Sequence, residues 1–514
     1  MLECAPQDRH FTMLSIFDTG APPACPPAFN LAAHVLRHAA NRAGHPALVI
    51  AGPEQDQIWT YAAFERAVRG TARGFLESGF EPGDILLMRL GNTVEFPITF
   101  LAAILVGIVP VPTSSQLTKR EVARMVEDLS PAGIVSAPDI ATHPHSRAVS
   151  LDRLRAMQSC PPADAVLGDP DRLAYIVYTS GTGGSPRAVQ HAHRAIWARQ
   201  MMIRDWYDLS RNDRLLHAGA FNWTFTLGTG IMDPLSVGAT AIIPSADTDL
   251  LDLPRVLTRT QATIFAAVPG VYRKILKCDT LPVLPDLRHG LAAGEALSGD
   301  IRDGWKDRIG TPIFEAFGMS ECSTFISSAP HRPSVAQSMG APQRGRRIAI
   351  IGEDGPAPIG EEGIIAVHRS DPGLMLGYLN APEETRARFD GEWFLTGDRG
   401  IMRADGQIIY CGRNDDMMNA GGFRVSPLEI ETVFATHPGL SQFAAAEVEV
   451  KPGVHIIVGV FKGREDVTEM ALQAFAQERL AAYKRPKTYK RLAEFPTNPN
   501  GKLLRRALPD LFKD

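Results

Sequence analysis

The sequence predicts an α/β protein with a large N-terminal domain of stacked α/β sheets plus a small β barrel, followed by a small α+β C-terminal domain. Strand and helix signals alternate as far as Val135 and again from Pro170 to Pro330, which is typical of open sheets covered by helices. From about Arg344 the pattern changes to short β segments. A β/α stretch of about a hundred residues, long enough for a small domain, then closes the chain.

Each element has its own local signal. Prolines crowd the end of the first 26 residues, which we expect to form an irregular arm. Helical spacing of apolar residues covers 29–40, Thr60 provides a hydroxyl cap for a second helix, and residues 190–197 can continue as a helix. Apolar, β-rich runs predict strands at 47–51, 84–90, 173–178, 215–218, 239–243, 263–267, 313–318, 347–351, 363–368, 393–396 and 407–410. Residues 289–297 are predicted as a strand that runs into a turn and a helix.

Composition limits the class of protein. The 514 residues are 45% hydrophobic and 21% charged, as expected of a soluble globular enzyme with more than one folding unit. A net charge of −4 gives no sign of a nucleic-acid surface. The six cysteines form no CxxC pair, so free thiols in a reducing compartment are expected.

No targeting or membrane segment is predicted. The N-terminus lacks a basic region followed by an apolar core. The longest apolar run, 96–112, is interrupted by prolines and shorter than the ~20 residues of a membrane helix. A buried helix at 98–106 followed by a strand at 108–111 fits it better, and a cytoplasmic location is the default expectation.

A loop rich in glycine and hydroxyl residues follows the predicted strand 173–178. Glycines let the backbone approach a ligand, and hydroxyls with backbone N–H groups suit a phosphate chain. Arg187 adds a fixed positive charge. The alternative is a flexible linker, because the loop matches neither the Walker pattern nor GxGxxG. The candidate phosphate-binding residues are Thr179, Ser180, Gly181, Thr182, Gly183 and Gly184.

This loop resembles the phosphate loop of the adenylate-forming superfamily, which includes acyl-CoA synthetases and the adenylation domains of nonribosomal peptide synthesis. The family usually has Thr where this chain has Gly183, and Lys-Gly where it has Arg187 and Ala188. The resemblance extends from about Phe29 to Arg506. It implies ATP, Mg²⁺ and CoA as cofactors or co-substrates, a small carboxylic acid as substrate, and no nucleic-acid or membrane partner; a homodimer is left open.

A second motif, 317–321, follows the strand predicted at 313–318 and resembles the family's metal-binding signature. The resemblance assigns Glu321 to Mg²⁺ and Phe317 to the adenine face, whereas a lone solvated glutamate is the alternative. Magnesium prefers oxygen ligands and takes one or two carboxylates together with substrate phosphates. The other nucleotide-binding candidates here are Glu315, Ala316, Gly318, Met319 and Ser320, with Gly294, Glu295 and Ala296 in an upstream strand-to-helix turn.

A third motif, 391–398, resembles the family's Trp-Phe-x-Thr-Gly-Asp signature. A carboxylate accepts hydrogen bonds from both ribose hydroxyls, so Asp398 is expected at the ribose; a Gly-Asp turn without a ligand is the alternative. By the same resemblance Arg413 contacts ribose or phosphate, and Asp415 is a hinge. The short polar run 412–416 is also compatible with a plain hairpin turn.

The C-terminal part carries the elements that the resemblance makes mobile. Residues 419–429 are similar to the loop that lines the pantetheine tunnel, which assigns Gly421, Gly422 and Arg424 to it; a plain Gly-Gly turn is the alternative. Residues 496–502 resemble the family's Gly-Lys ending and make Lys502 the candidate catalytic lysine, against a solvated lysine in a basic tail. Lys502, Glu321 and Arg187 are the expected catalytic residues.

The acyl pocket is assigned to the segment 218–228. Its candidate residues are Phe221, Asn222, Trp223, Phe225 and Gly228, and at least one aromatic ring is expected to be core packing. Amino-acid-adenylating relatives usually carry an Asp in this region, and here Asn222 stands instead. An acid without an amino group is therefore expected, and the bulky Trp223 and Phe225 predict a short, flat or compact pocket. The pattern of residues 221–228 followed by 232–239 looks most like the benzoate-CoA ligase branch.

The sequence thus predicts an AMP-forming acyl-CoA ligase. Its expected domains are an arm at 1–26, an N-terminal adenylation domain at 27–414 and a mobile C-terminal domain at 415–514. A stand-alone adenylation enzyme that loads a carrier-protein pantetheine is the alternative within enzymes. A non-catalytic nucleotide-binding protein is the alternative of another class, and the joint presence of Glu321, Asp398, Arg413 and Lys502 argues against it.

Overall fold

The computed structural model describes residues 13–179, 187–414, 416–420, 423–451, 454–480, 484–497 and 503–512. The chain forms two compact units. The large unit contains Phe17–Ile348 and Val367–Phe394. The small unit contains Met1–Ile16, Ala349–Ala366 and Leu395–Asp514.

The helices of the described residues are short to medium in length. The α-helices are α1 (Leu31–Leu36), α2 (Tyr61–Glu77), α3 (Glu95–Leu105), α4 (Lys119–Leu129), α5 (Leu151–Met157), α6 (Ala195–Met202), α7 (Asp233–Val237), α8 (Leu253–Arg259), α9 (Pro269–Ile275), α10 (Gly299–Ile309), α11 (Pro382–Arg386), α12 (Pro427–Ala435) and α13 (Glu469–Arg479). Two π-helices cover Ile203–Tyr207 and Thr226–Met232, and 3₁₀ turns cover Leu250–Asp252, Arg505–Ala507 and Pro509–Phe512.

The strands of the N-terminal part are β1 (Ile16–Asp18), β2 (Pro46–Ala51), β3 (Asp56–Thr60), β4 (Ile85–Arg89), β5 (Val109–Pro112), β6 (Gly133–Ser136), β7 (Ala148–Ser150), β8 (Leu173–Thr179), β9 (Arg187–Ala192), β10 (Arg214–His217), β11 (Thr240–Pro244), β12 (Ile264–Ala267), β13 (His289–Ala293), β14 (Ile313–Met319) and β15 (Ser323–Ser327). They are followed by β16 (Ala341–Pro342), β17 (Arg347–Gly352), β18 (Gly355–Pro356), β19 (Glu362–His368), β20 (Gly377–Tyr378), β21 (Phe389–Asp390), β22 (Trp393–Met402), β23 (Ile408–Arg413), β24 (Met418–Ala420), β25 (Phe423–Val425), β26 (Leu440–Lys451), β27 (Val454–Gly463) and β28 (Thr488–Arg491).

A nine-stranded sheet in the order β16-β15-β14-β13-β12-β10-β11-β2-β3 is the centre of the large unit. Its strands from β14 to β2 run parallel, and the strands at both edges are antiparallel. Helices α8, α9 and α10 cover one face, where Phe265, Tyr272 and Trp305 are buried together. The π-helix Ile203–Tyr207 contributes Trp206 to the opposite face. This is the α/β architecture that the alternating pattern predicts.

Two smaller sheets complete the large unit. The order β5-β4-β6-β7 forms a parallel sheet, and β20-β9-β8 forms an antiparallel one. Helix α3 is buried along its whole length and is followed by β5, which confirms the helix and strand expected in the longest apolar run. No helix of the described residues is both long enough and apolar enough to cross a membrane.

The helix predicted at 190–197 is wrong over its first residues. Residues 190–192, expected to begin a helix, belong to β9, which pairs antiparallel with β8 so that Val189 lies opposite Val177. Val189 and His191 are buried while Ala188 and Gln190 are half-buried, and this alternation fits a strand. Helix α6 begins only at Ala195. Pairing with β8 makes residues 190–192 a strand, and a local sequence pattern does not show this pairing.

Mixed and antiparallel sheets dominate the rest of the chain. One sheet runs in the order β1-β17-β19-β22-β21, with β18 paired to β17 and β23 to β22. The strand β1 lies in the segment expected to be an irregular arm, and Ser15 donates its backbone N–H to Ala357 O at 2.7 Å. In the C-terminal part of the small unit, β26, β27 and β28 form a sheet whose core includes Phe434 and Ile457.

Candidate active site

Three predicted motifs lie at one edge of the nine-stranded sheet. The acyl segment follows β10, the turn 294–296 follows β13, and Glu321 follows β14. These strands run parallel, with β12 between β10 and β13. Because parallel strands end at the same edge, the fold gathers the motifs there, and in open α/β sheets this edge is where ligands bind.

Glu321 lies in the turn between β14 and β15 and is held by a tyrosine. Its side chain is largely buried, and the Tyr378 hydroxyl donates a hydrogen bond to Oε1 at 2.8 Å. Burial and the negative charge of Glu321 raise the pKa of Tyr378, so that the phenol stays a neutral donor. Tyr378 comes from β20, about sixty positions further along the chain, and no sequence motif pointed to it.

The turn that carries Glu321 requires a glycine. A Cβ at Gly318 would lie 2.2 Å from the backbone oxygen of Ser323 and 2.4 Å from Cα of Thr324. The register between β14 and β15 shifts at this point, between Phe317 and Gly318. The Phe317 ring contacts the Phe325 ring edge-on, with centroids 5.5 Å apart. This close approach positions the chain that leads through Met319 and Ser320 into Glu321.

Glu315 connects β14 to the upstream turn. Its Oε1 accepts the backbone N–H of Leu297 at 2.8 Å, and its Oε2 forms an ion pair with Arg302 at 3.3 Å. Burial raises the pKa of Glu315, although these two partners partly oppose the shift. The carboxylate thus ties the end of the turn 294–296 to the strand. Gly294 and Ala296 are exposed and Glu295 is half-buried.

The phosphate loop itself, residues 180–186, lies outside the described residues, as does the side chain of Thr179. Its neighbour Arg187 is described at the start of β9, where its guanidinium forms an ion pair with Glu384 of α11. Both side chains of this pair are partly exposed. Ala188, where the family has glycine, lies opposite Tyr178 in the β8–β9 hairpin.

The small unit carries the expected ribose site. Asp398 is an internal residue of β22, opposite Arg413 of β23, so it is not part of the isolated turn considered as the alternative. The Tyr410 hydroxyl donates a hydrogen bond to Asp398 Oδ1 at 2.9 Å, and Thr396 Oγ1 accepts the backbone N–H of Asp398 at 3.0 Å. Burial and the Asp398 charge raise the pKa of Tyr410. Tyr410 is a second residue that the sequence motifs did not reveal.

Several C-terminal candidates cannot be placed. Lys502, Asp415, Gly421 and Gly422 lie outside the described residues, and the side chain of Arg424 is not described. Their roles remain expectations.

The acyl segment separates into packed and partly exposed side chains. Phe221 is buried and stacks on Phe96 with ring centroids 5.2 Å apart, while Phe225 stacks on Trp206 at 5.8 Å. Asn222 and Trp223 remain half-buried. Phe221 and Phe225 thus contribute to core packing, which was expected of at least one aromatic ring in the segment.

A π-helix, Thr226–Met232, brings Gly228 against a buried arginine. A Cβ on Gly228 would lie 2.1 Å from Nη2 of Arg199. Arg199 is bound by Asp233, and Asp233 also accepts the Tyr207 hydroxyl at 2.7 Å. The π-helix is rare in proteins and frequently occurs at functional sites. Sequence reasoning identified Gly228 but missed Arg199, Tyr207 and Asp233, since no motif connects these positions.

Comparison with known proteins places these features in a family. Residues 35–379 match the model of the AMP-binding enzyme family, and residues 429–502 match that of the AMP-binding enzyme C-terminal domain. A benzoate–CoA ligase of Thauera aromatica is 29% identical over 453 residues, which cover 83% of this chain and 86% of that protein.

Further relatives agree with this result. A 4-hydroxybenzoate–CoA/benzoate–CoA ligase of Rhodopseudomonas palustris is 28% identical, with 88% of this chain and 89% of that protein covered. Among solved structures, a benzoate CoA ligase from Burkholderia xenovorans superposes with a TM-score of 0.84 at 26% identity, over 94% of this chain and all of that one.

Proposed function

The chain belongs to the family of AMP-binding enzymes and is an AMP-forming acyl-CoA ligase, and on this premise we propose that its acid is a compact, benzoate-like or short-chain carboxylic acid without an amino group. One observation carries the proposal. Asp233, the buried carboxylate beside the acyl segment, is already neutralised by Arg199 and hydrogen-bonded by Tyr207. It is therefore not available to balance the ammonium group of an amino acid.

The proposed chemistry needs no protein nucleophile. The carboxylate oxygen of the acid attacks the α-phosphorus of ATP, the bond to the β-phosphate oxygen breaks, and pyrophosphate leaves. The thiol of CoA then loses its proton and attacks the acyl carbonyl carbon, and AMP leaves with the electrons of the broken acyl–oxygen bond. The protein contributes positioning and neutralisation of the negative charge that develops in both steps.

Glu321 suits the role of the single protein ligand of Mg²⁺. Tyr378 uses one of its two carboxylate oxygens, and in the described part of the chain no hydrogen bond to the other, Oε2, is found. Magnesium is commonly held by one or two carboxylates plus substrate phosphates, so this donor set fits the ion. When bound, Mg²⁺ neutralises charge on the phosphate oxygens.

We propose nucleotide-binding roles for residues of each unit separately. In the large unit, Arg187 is proposed to bind the phosphate chain in exchange for Glu384. In the small unit, Asp398 is proposed to accept the ribose hydroxyls, with Tyr410 fixing the orientation of its carboxylate and Arg413 opposite it. We also propose that residues 415–514 move as a domain about Asp415 to alternate between Lys502 for adenylation and the region of Gly422 for thiolation.

A substrate panel tests the proposal. Purified protein with ATP and Mg²⁺ is expected to release pyrophosphate with benzoate-like acids, and to release AMP and form a thioester only when CoA is added. Turnover of long-chain fatty acids with none of benzoate-like acids would contradict the proposed acid. Thioester formation on a phosphopantetheinylated carrier protein but not on CoA would favour the alternative acceptor.

The proposed separate roles of Lys502 in adenylation and of the region of Gly422 in thiolation give a more specific prediction. Lys502→Ala should abolish formation of the acyl-adenylate, because the charge that bridges the acid and the phosphate is lost. The same variant should convert supplied acyl-adenylate and CoA to thioester at nearly the wild-type rate. Single-turnover assays of each half-reaction measure this, with Lys490→Ala as the control, and equal loss of both half-reactions would contradict it.

A further inference from the structure

A narrow cavity in the large unit lies between the acyl segment and the motif that contains Glu321. Its free volume is only about 20 Å³, which is room for about one water-sized group. Because the cavity is narrow, it fits one end of a small molecule better than a whole molecule. Its polar wall consists of Tyr175, His191, Arg199, Thr224, Ser320 and Ser323. Thr224 and Ser320 belong to motifs that the sequence identified, whereas Tyr175, His191, Arg199 and Ser323 were not predicted as site residues.

The charge on this wall is already compensated. The Arg199 guanidinium donates from Nε to Asp233 Oδ1 at 2.8 Å and from Nη2 to Asp233 Oδ2 at 2.6 Å. Burial lowers the pKa of Arg199, but the Asp233 carboxylate, together with Tyr207 and Tyr175, outweighs this effect and raises the pKa above its ordinary value. The pair therefore places the guanidinium next to its counter-ion in a buried position. A second carboxylate in the cavity would lack a counter-charge, which is costly in a buried site.

Hydrogen-bonding groups nevertheless remain on the wall. The third guanidinium nitrogen, Nη1, contacts the hydroxyl of Ser323, and both groups line the cavity. His191 is buried and stacks on Tyr175 with ring centroids 4.8 Å apart. Neither ring nitrogen of His191 has a hydrogen-bond partner among the described residues. Thr224 adds a hydroxyl from the acyl segment.

The protonation state of His191 determines which hydrogen bonds its ring can form. Burial, with a smaller contribution from the charges of Arg194 and Arg199, lowers its pKa to about 4, while the Ser320 backbone opposes the shift without reaching hydrogen-bond geometry. At neutral pH the ring is uncharged and presents one donor and one acceptor. A hydrocarbon in the cavity would leave these groups without partners, and buried polar groups without partners are unfavourable.

We propose that this cavity binds a neutral hydroxyl group on the acid, with Arg199, Ser323 and His191 as specificity-determining residues. The inference rests on the proposed function and names the substrate class more closely, as a hydroxy-substituted aromatic acid. A hydroxyl is both donor and acceptor, so it satisfies the Ser323 hydroxyl and the imidazole together. It brings no charge into a wall that is already neutral. Sites built to bind a hydroxyl discriminate strongly against analogues that lack it.

A panel of matched acids tests the inference. The acids are benzoate, its three monohydroxy isomers, and isophthalate and terephthalate as charged analogues of similar shape. The wild type is expected to use one hydroxybenzoate with a kcat/KM at least about tenfold above that for benzoate, and to use the dicarboxylates poorly. Pyrophosphate release in the presence of CoA provides the rate.

Two conservative variants test whether the polar wall of the cavity causes the preference for a hydroxy acid. Ser323→Ala and Thr224→Val each remove a hydroxyl from the cavity with little change in shape. Each is expected to reduce the ratio of kcat/KM for the hydroxy acid over benzoate at least about threefold, mainly through the hydroxy acid. Thr226→Val is the matched control, because Thr226 is a buried threonine of the same segment that does not line the cavity. Arg199 alone is not exchanged, since its loss leaves Asp233 buried without a partner.

The outcomes separate the two proposals. If benzoate is used as well as every hydroxy acid, or if the ratio is unchanged in Ser323→Ala and Thr224→Val, the hydroxyl inference is wrong while the proposed function stands. If no acid of the panel and no short-chain acid releases pyrophosphate, the proposed function fails and the inference fails with it. A reduced ratio in the control Thr226→Val as well would contradict a specific role of the wall.

Discussion

The hydrogen bond from Tyr378 to Glu321 gives a prediction for a single residue. Tyr378→Phe removes the donor and leaves the ring, so the Glu321 carboxylate loses the group that orients it. Residues that orient a metal ligand typically change metal affinity by 10–100-fold. We expect the apparent affinity for Mg²⁺ to weaken about tenfold, measured by titration of pyrophosphate release at fixed ATP.

Tyr61→Phe is the control for this variant. The Tyr61 hydroxyl is also buried and bonded, but it donates to the backbone oxygen of Ala239, far from Glu321 in the sequence and outside the candidate site. It should leave the Mg²⁺ dependence unchanged. A wild-type Mg²⁺ dependence in Tyr378→Phe would show that the tyrosine does not position Glu321.

At the scale of single residues, the sequence predicts the groups that belong to local motifs and misses their partners. Glu321 and Asp398 belong to short signatures that can be read along the chain. Tyr378 reaches Glu321 from another strand, and Arg199 reaches Asp233 from another helix. Such pairs exist only once the fold has brought distant segments together, so a single sequence without related sequences gives no sign of them.

The turn between β14 and β15 gives a prediction for an element. Gly318→Ala places a Cβ about 2 Å from backbone atoms of Ser323, which cannot move as a flexible side chain does. We expect the free energy of unfolding to fall by about 1–3 kcal/mol or more, with loss of pyrophosphate release, because the turn carries Glu321. Urea unfolding and the activity assay measure the two effects.

Gly270→Ala is the matched control for the turn. Gly270 lies in α9, and a Cβ there would have no neighbour within 4 Å. Alanine favours a helix over glycine by about 0.5–1 kcal/mol, so this variant should be as stable as the wild type or more stable. Equal stability of Gly318→Ala and wild type would contradict the close backbone approach.

Elements are predicted well where burial alone determines them. Strands β2, β4, β10, β11 and β12 lie within about two residues of the predicted apolar runs, and Thr60 caps α2 by accepting the backbone N–H of Ala63. The π-helix of the acyl segment and the strand β9 were not predicted. The first depends on close packing of Gly228 against Arg199, and the second on pairing with β8, and both are tertiary effects.

Five histidines, four of them buried and His34 half-buried, give a prediction for the large unit as a whole. Burial is the largest cause that lowers the pKa of all five below the ordinary value of 6.5: to about 3 for His34, His193 and His217, and to about 4 for His191 and His289. Between these values and pH 6.5 the unfolded chain binds more protons than the folded one. Stability is therefore fully present above pH 6.5 and is lost as the pH falls toward 4.

We expect each such histidine to contribute a slope of about 1.4 kcal/mol per pH unit in that window. Urea unfolding at several pH values from 7 to 5 measures the total. His217→Leu removes a ring whose two nitrogens have no hydrogen-bond partner in the described structure. The variant should reduce the slope of unfolding free energy against pH by about 1.4 kcal/mol per pH unit, the contribution of one proton. His45→Gln, at an exposed position, is the control, and the idea fails if both His217→Leu and His45→Gln keep the wild-type slope.

The paired charges of Arg199 and Asp233 have a consequence for how this enzyme can change over generations. Loss of either residue alone leaves the other charged group buried without a counter-charge, which lowers the free energy of unfolding by about 3–5 kcal/mol in comparable cases. Joint replacement of both residues by apolar residues is often tolerated. Substitutions at the two positions should therefore be strongly non-additive. Exchange of this pair would therefore have to pass through a double replacement, which makes these two positions of the wall more resistant to gradual change than single hydroxyl residues such as Ser323.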